Sequence, residues 1–200
     1  MISAVIFDLD GTLTGTANPW RHVHERLGIW DTVAFTHMED WLSGRIAYDE
    51  FCRRDIQLWA GRELSEIQSY LDEIEMNRHV PEVVEALVER DIPSIIISSG
   101  FRHVARRIQS GCKWDRLLVY ANELVDGPDV RIDVSADWSS PISKKAHADA
   151  ALRIVGAAAG DTLVVSDSEH DLKQLRDCGF HLHVREDDDL LRVLPILGSQ

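Results

Sequence analysis

Two carboxylates, Asp8 and Asp10, stand one residue apart at the end of the apolar run Ala4-Val5-Ile6-Phe7, just before Gly11-Thr12. Side chains alternate along a strand, so the pair projects to one side where the chain leaves the sheet. Two close carboxylates repel. Both ionise only with a cation between them; otherwise one keeps a proton. The first outcome makes a hard oxygen site suited to Mg²⁺, and the second a carboxylate nucleophile beside a carboxylic acid. Taken alone, the segment also reads as a strand closed by an Asp-Gly turn. Further along, Ser98-Ser99-Gly100 places hydroxyls and a glycine ahead of a helix. That setting favours phosphate, or else a simple helix N-cap. Asp167 and Asp171 are spaced to share one side of a turn entering a helix. Facing Asp8 and Asp10, they complete an oxygen-rich cation site. Four carboxylates reject a phosphate unless positive charge is added, by Mg²⁺ and by a lysine. Lys144 shares a helix face with Ala148, Ala151, Leu152 and Val155, whereas Lys145 shares one with Asp149 and Arg153, so Lys144 is the better placed to point inward.

These residues need strands whose carboxyl ends converge. The run ending in Phe7 is rich in β-branched and aromatic residues and is expected to be a central parallel strand. Further apolar strands are expected at Ser94 to Ile97, Leu117 to Tyr120, Thr162 to Val165 and Phe180 to Val184. Helices are expected near Arg102 to Gln109, Lys144 to Val155 and Asp171 to Cys178. Another, with Pro81 in its first turn, buries a stripe of Val83, Val84, Leu87 and Val88. Alternating strands and helices imply an α/β fold, a doubly wound parallel sheet. Asp126-Gly127 sits amid polar alternation between Asn122 and Val134, which predicts a short hairpin. Residues from about Pro19 to Asn77 read as a helical block carrying Trp20, Trp30, Trp41 and Trp59. The division expected is a core of residues 1–14 and 79–200 with a helical cap over 15–78. The acidic stretch Glu186 to Asp189 opens a tail expected to form a solvated last helix.

With 200 residues, the chain fits one domain carrying an insertion. Its net charge of −13 argues against nucleic acid or anionic membrane as partner. An anionic substrate must therefore be held by local devices. Cys52, Cys112 and Cys178 form no CxxC pair, which suggests reduced thiols in a cytoplasm. The first residues carry no basic or cleavage-like segment, and no apolar run approaches roughly 18 residues. A soluble, cytoplasmic protein is expected, as a monomer or homodimer.

Asp8-Leu9-Asp10-Gly11-Thr12, then Ser98, then Lys144, then Asp167 with Asp171, resembles the four ordered motifs of the haloacid dehalogenase superfamily. Within it the chain is similar to the phosphoserine phosphatase-like branch. The shared wording is Ile97-Ser98-Ser99-Gly100-Phe101, Tyr120-Ala121-Asn122-Glu123-Leu124, Ser166-Asp167-Ser168-Glu169-His170-Asp171-Leu172 and, in the cap, Gly44-Arg45-Ile46-Ala47-Tyr48. The resemblance covers nearly the whole chain. It implies hydrolysis of a small phosphorylated metabolite through a covalent aspartyl-phosphate. Asp8 would be the nucleophile, and Asp10 the acid and then the base. Mg²⁺ would be held by Asp8, the Asp10 carbonyl and Asp167, with Asp171 in support. Ser98, Ser99, Gly100 and Lys144 would hold the phosphoryl group. A phosphotransferase or phosphomutase would use the same intermediate, and a non-catalytic phospholigand-binding module would keep the fold alone.

The chain departs from that branch in the cap. Phosphoserine enzymes hold the substrate ammonium with a cap glutamate and its carboxylate with a cap arginine. Aligned on Gly44, the arginine position falls at Asp55, and the glutamate position falls within Thr16 to Asn18, which holds no acid. Phosphoserine is therefore expected to be a poor substrate. Trp20, Arg21, Arg45, Tyr48 and Asp55 are the candidate substrate-selecting residues. In the fourth motif, Ser166 and Ser168 replace glycines, and Glu169-His170 replace a small residue and Asn. His170 would touch the substrate or stand partly exposed at a helix start. His22 and His24 either select substrate or pack the cap. His181 and His183 read as ordinary strand histidines.

Overall fold

The computed structural model describes residues 1–127, 129–133 and 144–198. A six-stranded sheet runs in the order β4-β3-β2-β1-β5-β6. Its strands are β1 (Ala4–Phe7), β2 (Ser94–Phe101), β3 (Leu117–Val125), β4 (Arg131–Asp133), β5 (Thr162–Ser166) and β6 (Phe180–His183). All pairings are parallel except that of β4, which folds back antiparallel on β3 with Leu124 opposite Ile132. This is the predicted hairpin; Val134, its expected end, lies outside the described residues. β1 and β5 are buried along their whole length, as two-sided strands of Val, Ile, Leu and Phe must be.

The strand order reverses direction at β1, which has β2 on one side and β5 on the other. Ligands of open α/β sheets bind at such a switch point, beyond the carboxyl ends of the strands. Asp8 follows β1 there, and its amide donates to Val165 O of β5 at 2.9 Å. β2 runs on through Ser98, Ser99 and Gly100 to Phe101, with its register against β3 broken between Ile97 and Phe101. The two serines therefore sit in an irregular strand end, not at a helix N-cap, and such irregularities re-aim side chains beside active sites.

Helices α1 (Pro19–Arg26), α2 (Phe35–Leu42), α3 (Tyr48–Gln57) and α4 (Leu64–Asp72) form the segment between β1 and α5 (Val80–Glu89). An irregular turn, Trp30–Ala34, joins α1 to α2. After β2 come α6 (Arg102–Cys112), α7 (Lys144–Val155), α8 (Glu169–Gln174) and α9 (Val193–Gly198). α7 packs on β1, β2 and α8, while α5 packs on α6 and α9.

Two expectations are corrected. Val88 is 48% exposed, because Ala86 takes the buried place beside Val83, Val84 and Leu87. The carboxyl-terminal segment is not solvated: its Leu190, Val193 and Leu197 are buried against α5, while Glu186, Asp187, Asp188, Arg192 and Pro195 face outward. The acidic opening masks an apolar stripe that begins three residues later.

Candidate active site

Lys144, the first residue of α7, reaches the end of β1. Its Nζ donates to Asp8 Oδ1 at 2.7 Å and to Asp171 Oδ2. Asp171 Oδ2 also accepts from Ser166 Oγ at 3.2 Å. Lys145 turns away to Asp149 and Asp177. The helix geometry that separated the two lysines thus decides which enters the site. Burial opposes the Lys144 charge, but the Asp8 and Asp171 carboxylates outweigh it and hold the ammonium above its ordinary range.

Asp10 is buried as well. Its Oδ2 accepts from Ser98 Oγ at 2.6 Å, while its Oδ1 has no partner among the described residues. Ser98 Oγ in turn accepts from Gly100 N at 2.8 Å. Gly100 must lack a side chain, since a Cβ there would overlap Asp10 Oδ2. Burial pushes both acids up to about 7: for Asp8 against the pull of Lys144, and for Asp10 against the Ser98 hydrogen bond and Lys144. Neighbouring acids add to both effects, Asp171 and Asp10 on Asp8 and Asp167 on Asp10.

Asp167 is fixed by Thr12, whose hydroxyl accepts from Asp167 N at 2.9 Å and donates to Asp167 Oδ1 at 3.4 Å. Its carboxylate lies against Gly11, where the backbone φ of +80° and the lack of space both demand glycine. His183 Nε2 stands 2.8 Å from Asp167 O and His181 Nε2 3.0 Å from Leu175 O, so these histidines brace loops. Among the described residues, no three His, Cys, Asp or Glu side chains form a cage for an ion. The donors gathered here are the carboxylates of Asp8, Asp10 and Asp167. With the orphaned Asp10 Oδ1 and the mutual repulsion of Asp8, Asp10 and Asp167, that set fits a hard, water-retaining divalent cation.

Above the site lies a cavity of about 750 Å³, with Asp8, Asp10, Ser98, Ser99, Lys144, Asp167 and Asp171 in its floor. Trp20, Arg21 and Tyr48 line it from the helical side, as expected, and His170 lines it from α8. Arg45 and Asp55 do not. Arg45 pairs with Asp40 at 2.7 Å on the surface. Asp55 is fully buried within the cap, with Oδ1 2.7 Å from His37 Nδ1 and Oδ2 3.8 Å from His24 Nε2. α3 turns its Tyr48 and Phe51 to the cavity and Asp55, one to two turns on, to the interior. His22 stands 2.9 Å from Tyr70 O, which with buried His24 makes these two histidines cap packing. Glu169 lies on the surface near Lys173.

Two residues that position the site were not singled out beforehand, Thr12 and Asn122. Asn122 is fully buried, and its Nδ2 donates to Ser99 O and to Tyr48 Oη, each at 2.7 Å. Tyr48 Oη donates to the same carbonyl at 2.6 Å, and Trp20 Nε1 at 3.4 Å. The wording around both residues, Asp-Gly-Thr and Tyr-Ala-Asn-Glu-Leu, was their signal.

A switch-point site of buried carboxylates, a lysine and a serine under a helical roof defines an α/β enzyme that handles anionic groups. Residues 5–176 match the haloacid dehalogenase-like hydrolases, and the chain belongs to that family. The phospho-aspartyl intermediate analogue of phosphoserine phosphatase superposes with a TM-score of 0.74 at 16% identity, over 96% of this chain and 90% of that one. A haloacid dehalogenase family hydrolase from Salmonella enterica serovar Typhi gives 0.74 at 16%, over 89% and 60%. A protein of unknown function from Bordetella pertussis Tohama I gives 0.68 at 18%, over 99% and 96%. At these identities the likeness is one of fold. No curated protein matches by sequence. No helix among the described residues is long and apolar enough to cross a membrane.

Proposed function

We propose that the chain is a Mg²⁺-dependent phosphomonoester hydrolase that works through an aspartyl-phosphate on Asp8 and acts on a small phosphorylated metabolite other than phosphoserine. One observation carries this reading: two buried carboxylates end the same strand, one gripped by Lys144 and the other with an unpartnered oxygen. The two are thereby given different tasks. Asp8 Oδ2, the oxygen that Lys144 leaves, attacks phosphorus, and the bond from phosphorus to the ester oxygen breaks. Asp10, pushed up toward neutrality by burial, gives its proton to the departing oxygen and then takes one from the water that hydrolyses the acyl phosphate. Lys144 and Ser98 receive the phosphoryl oxygens. Asp8, the Asp10 carbonyl and Asp167 would hold Mg²⁺, which would supply the positive charge that lets a phosphate approach this acidic floor.

The cap of this reading is residues 15–78, hinged on residues 1–14 and 79–200. The isolated bridge Thr14–Met76 and the bond from Asn77 N to Leu13 O (3.0 Å) tie the two ends of the insertion together. Phosphoserine is disfavoured because the cap brings no carboxylate to the cavity for its ammonium. The test is a panel of phosphate esters with Mg²⁺ or with chelator, run beside Asp8→Asn, with mass spectrometry of the quenched protein for a phosphoryl adduct on Asp8. The variant should lose about 10³-fold or more in kcat and show no adduct. Undiminished turnover by Asp8→Asn would remove the nucleophile from the scheme.

A further inference from the structure

The cavity is chemically divided. Every acidic residue lining it belongs to the floor, where the phosphoryl group would sit. The cap wall is made chiefly of Trp20, Trp30, Met38, Trp41, Leu42 and Phe51. Of its polar groups, Tyr48 Oη is already engaged by Ser99 O and Asn122. Asn18 Oδ1 accepts from Arg21 N as the N-cap of α1. That leaves Arg21 as the charged side chain in the upper half, and its Nε donates to Glu25 at 2.7 Å.

An aromatic wall over an acidic floor also suits a cationic head group, through the faces of its rings. Here the Arg21 guanidinium lies over Trp30, 5.3 Å from the ring centre. The slot a substrate cation would use on that ring is filled by a cation of the protein, which repels another. Trp41 is braced from behind, stacked on Phe51 at 5.2 Å and meeting Tyr48 edge-on at 5.2 Å. Leu42 extends the apolar lining to the mouth, where it is 70% exposed. A cavity of about 750 Å³ far exceeds the needs of a three-carbon alcohol and falls within the roughly 300–1,000 Å³ of sites that house drug-sized ligands.

We propose that this site selects phosphomonoesters of a flat, apolar, uncharged alcohol, the ring lying against Trp41 while the phosphate rests on the floor. Substrate discrimination is then made by ring burial and not by an ammonium or carboxylate contact. This rests on the phosphatase reading above, and the experiment separates the two. The probes are benzyl phosphate, ethyl phosphate, O-phosphoserine and phosphocholine, all esters of primary alcohols. The second readout is calorimetric binding of benzylphosphonate and ethylphosphonate to the intact Mg²⁺-loaded protein, which needs no turnover.

Benzyl phosphate should exceed ethyl phosphate by about 30-fold in kcat/KM, equivalent to about 2 kcal/mol at 1.36 kcal/mol per tenfold. Benzylphosphonate should bind more tightly than ethylphosphonate by a similar factor. Trp41→Leu should cut the benzyl-to-ethyl ratio several-fold. Equal binding of the two phosphonates, or phosphoserine or phosphocholine leading the esters, overturns the ring assignment. Preferential benzylphosphonate binding with no ester hydrolysed leaves the ring assignment standing and refutes the hydrolase reading instead.

Discussion

Tyr48→Phe isolates one hydroxyl that ties the cap to the phosphate-binding strand end. The ring is 1% exposed and keeps its contacts with Trp41 and Phe51 in the variant, so only polar terms change. The 2.6 Å donation to Ser99 O and the 2.7 Å acceptance from Asn122 vanish, and with them the contact with the Cys52 thiol. Ser99 O keeps Asn122 and Trp20, and Asn122 Nδ2 keeps Ser99 O, so neither of these is orphaned. At about 0.5–1.5 kcal/mol for each neutral bond, the loss is about 1–3 kcal/mol. With roughly 2–4 °C per kcal/mol for a chain of this size, the thermal midpoint falls by several degrees. Ser99 lies between Ser98, which holds Asp10, and Gly100, which holds Ser98, so looseness here reaches the acid and kcat/KM falls about 10-fold. Asn122→Leu, which removes the other strong donor to that carbonyl, should repeat both effects. The assays are denaturant unfolding and steady-state kinetics on benzyl phosphate. If Tyr48→Phe leaves stability within about 0.3 kcal/mol and kcat/KM unchanged, the hydroxyl latch has no energetic content and Tyr48 is only wall.

Lys144→Ala leaves Asp8 and Asp171 buried without their cation and should cost the metal-free protein about 3–5 kcal/mol in urea unfolding. A loss below 1 kcal/mol would mean that water reaches these acids. Asp55→Asn tests the buried cap acid, which burial alone pushes from 3.8 up to about 8. A carboxyl raised in the fold contributes its stability fully below the unfolded value and loses it as pH rises through about 8. Wild-type stability should therefore fall relative to Asp55→Asn between pH 5 and pH 8 in paired unfolding titrations; an opposite trend would show the carboxylate to be ionised against His37. Leu190→Ala should cost about 2–5 kcal/mol, since the side chain is fully buried, whereas a solvated tail would lose almost nothing.

The convergence of the candidate site's residues was legible because they lie at strand ends. Asp8 and Asp10 follow one buried strand, and Asp167 and Asp171 follow another. A parallel sheet necessarily brings those ends to one edge, whatever the packing details. Lys144 was legible for a related reason, since helix geometry separates it from Lys145 by its apolar companions. The tight approach of Asp10 to Gly100 came only from the structure. The tail was misjudged because its first four acids hid the spacing of Leu190, Val193 and Leu197.

What the sequence alone determined was the sheet, its acidic edge and the helical run between the first two strands. Only the tertiary structure decided which face of each cap helix meets the cavity. Periodicity reveals that α3 has a buried face, but burial against the site and burial inside the cap have the same pattern. Asp55 therefore went to His37 and His24 within the cap, while Tyr48 and Phe51 of the same helix went to the cavity. The placement of Arg21 over Trp30 was equally beyond sequence reach, because it depends on the turn Trp30–Ala34 folding back along α1. Alignment of carboxylates on strand ends is set by backbone hydrogen bonds that any parallel sheet must make. Choice of cap lining is set by side-chain packing between elements far apart in the chain.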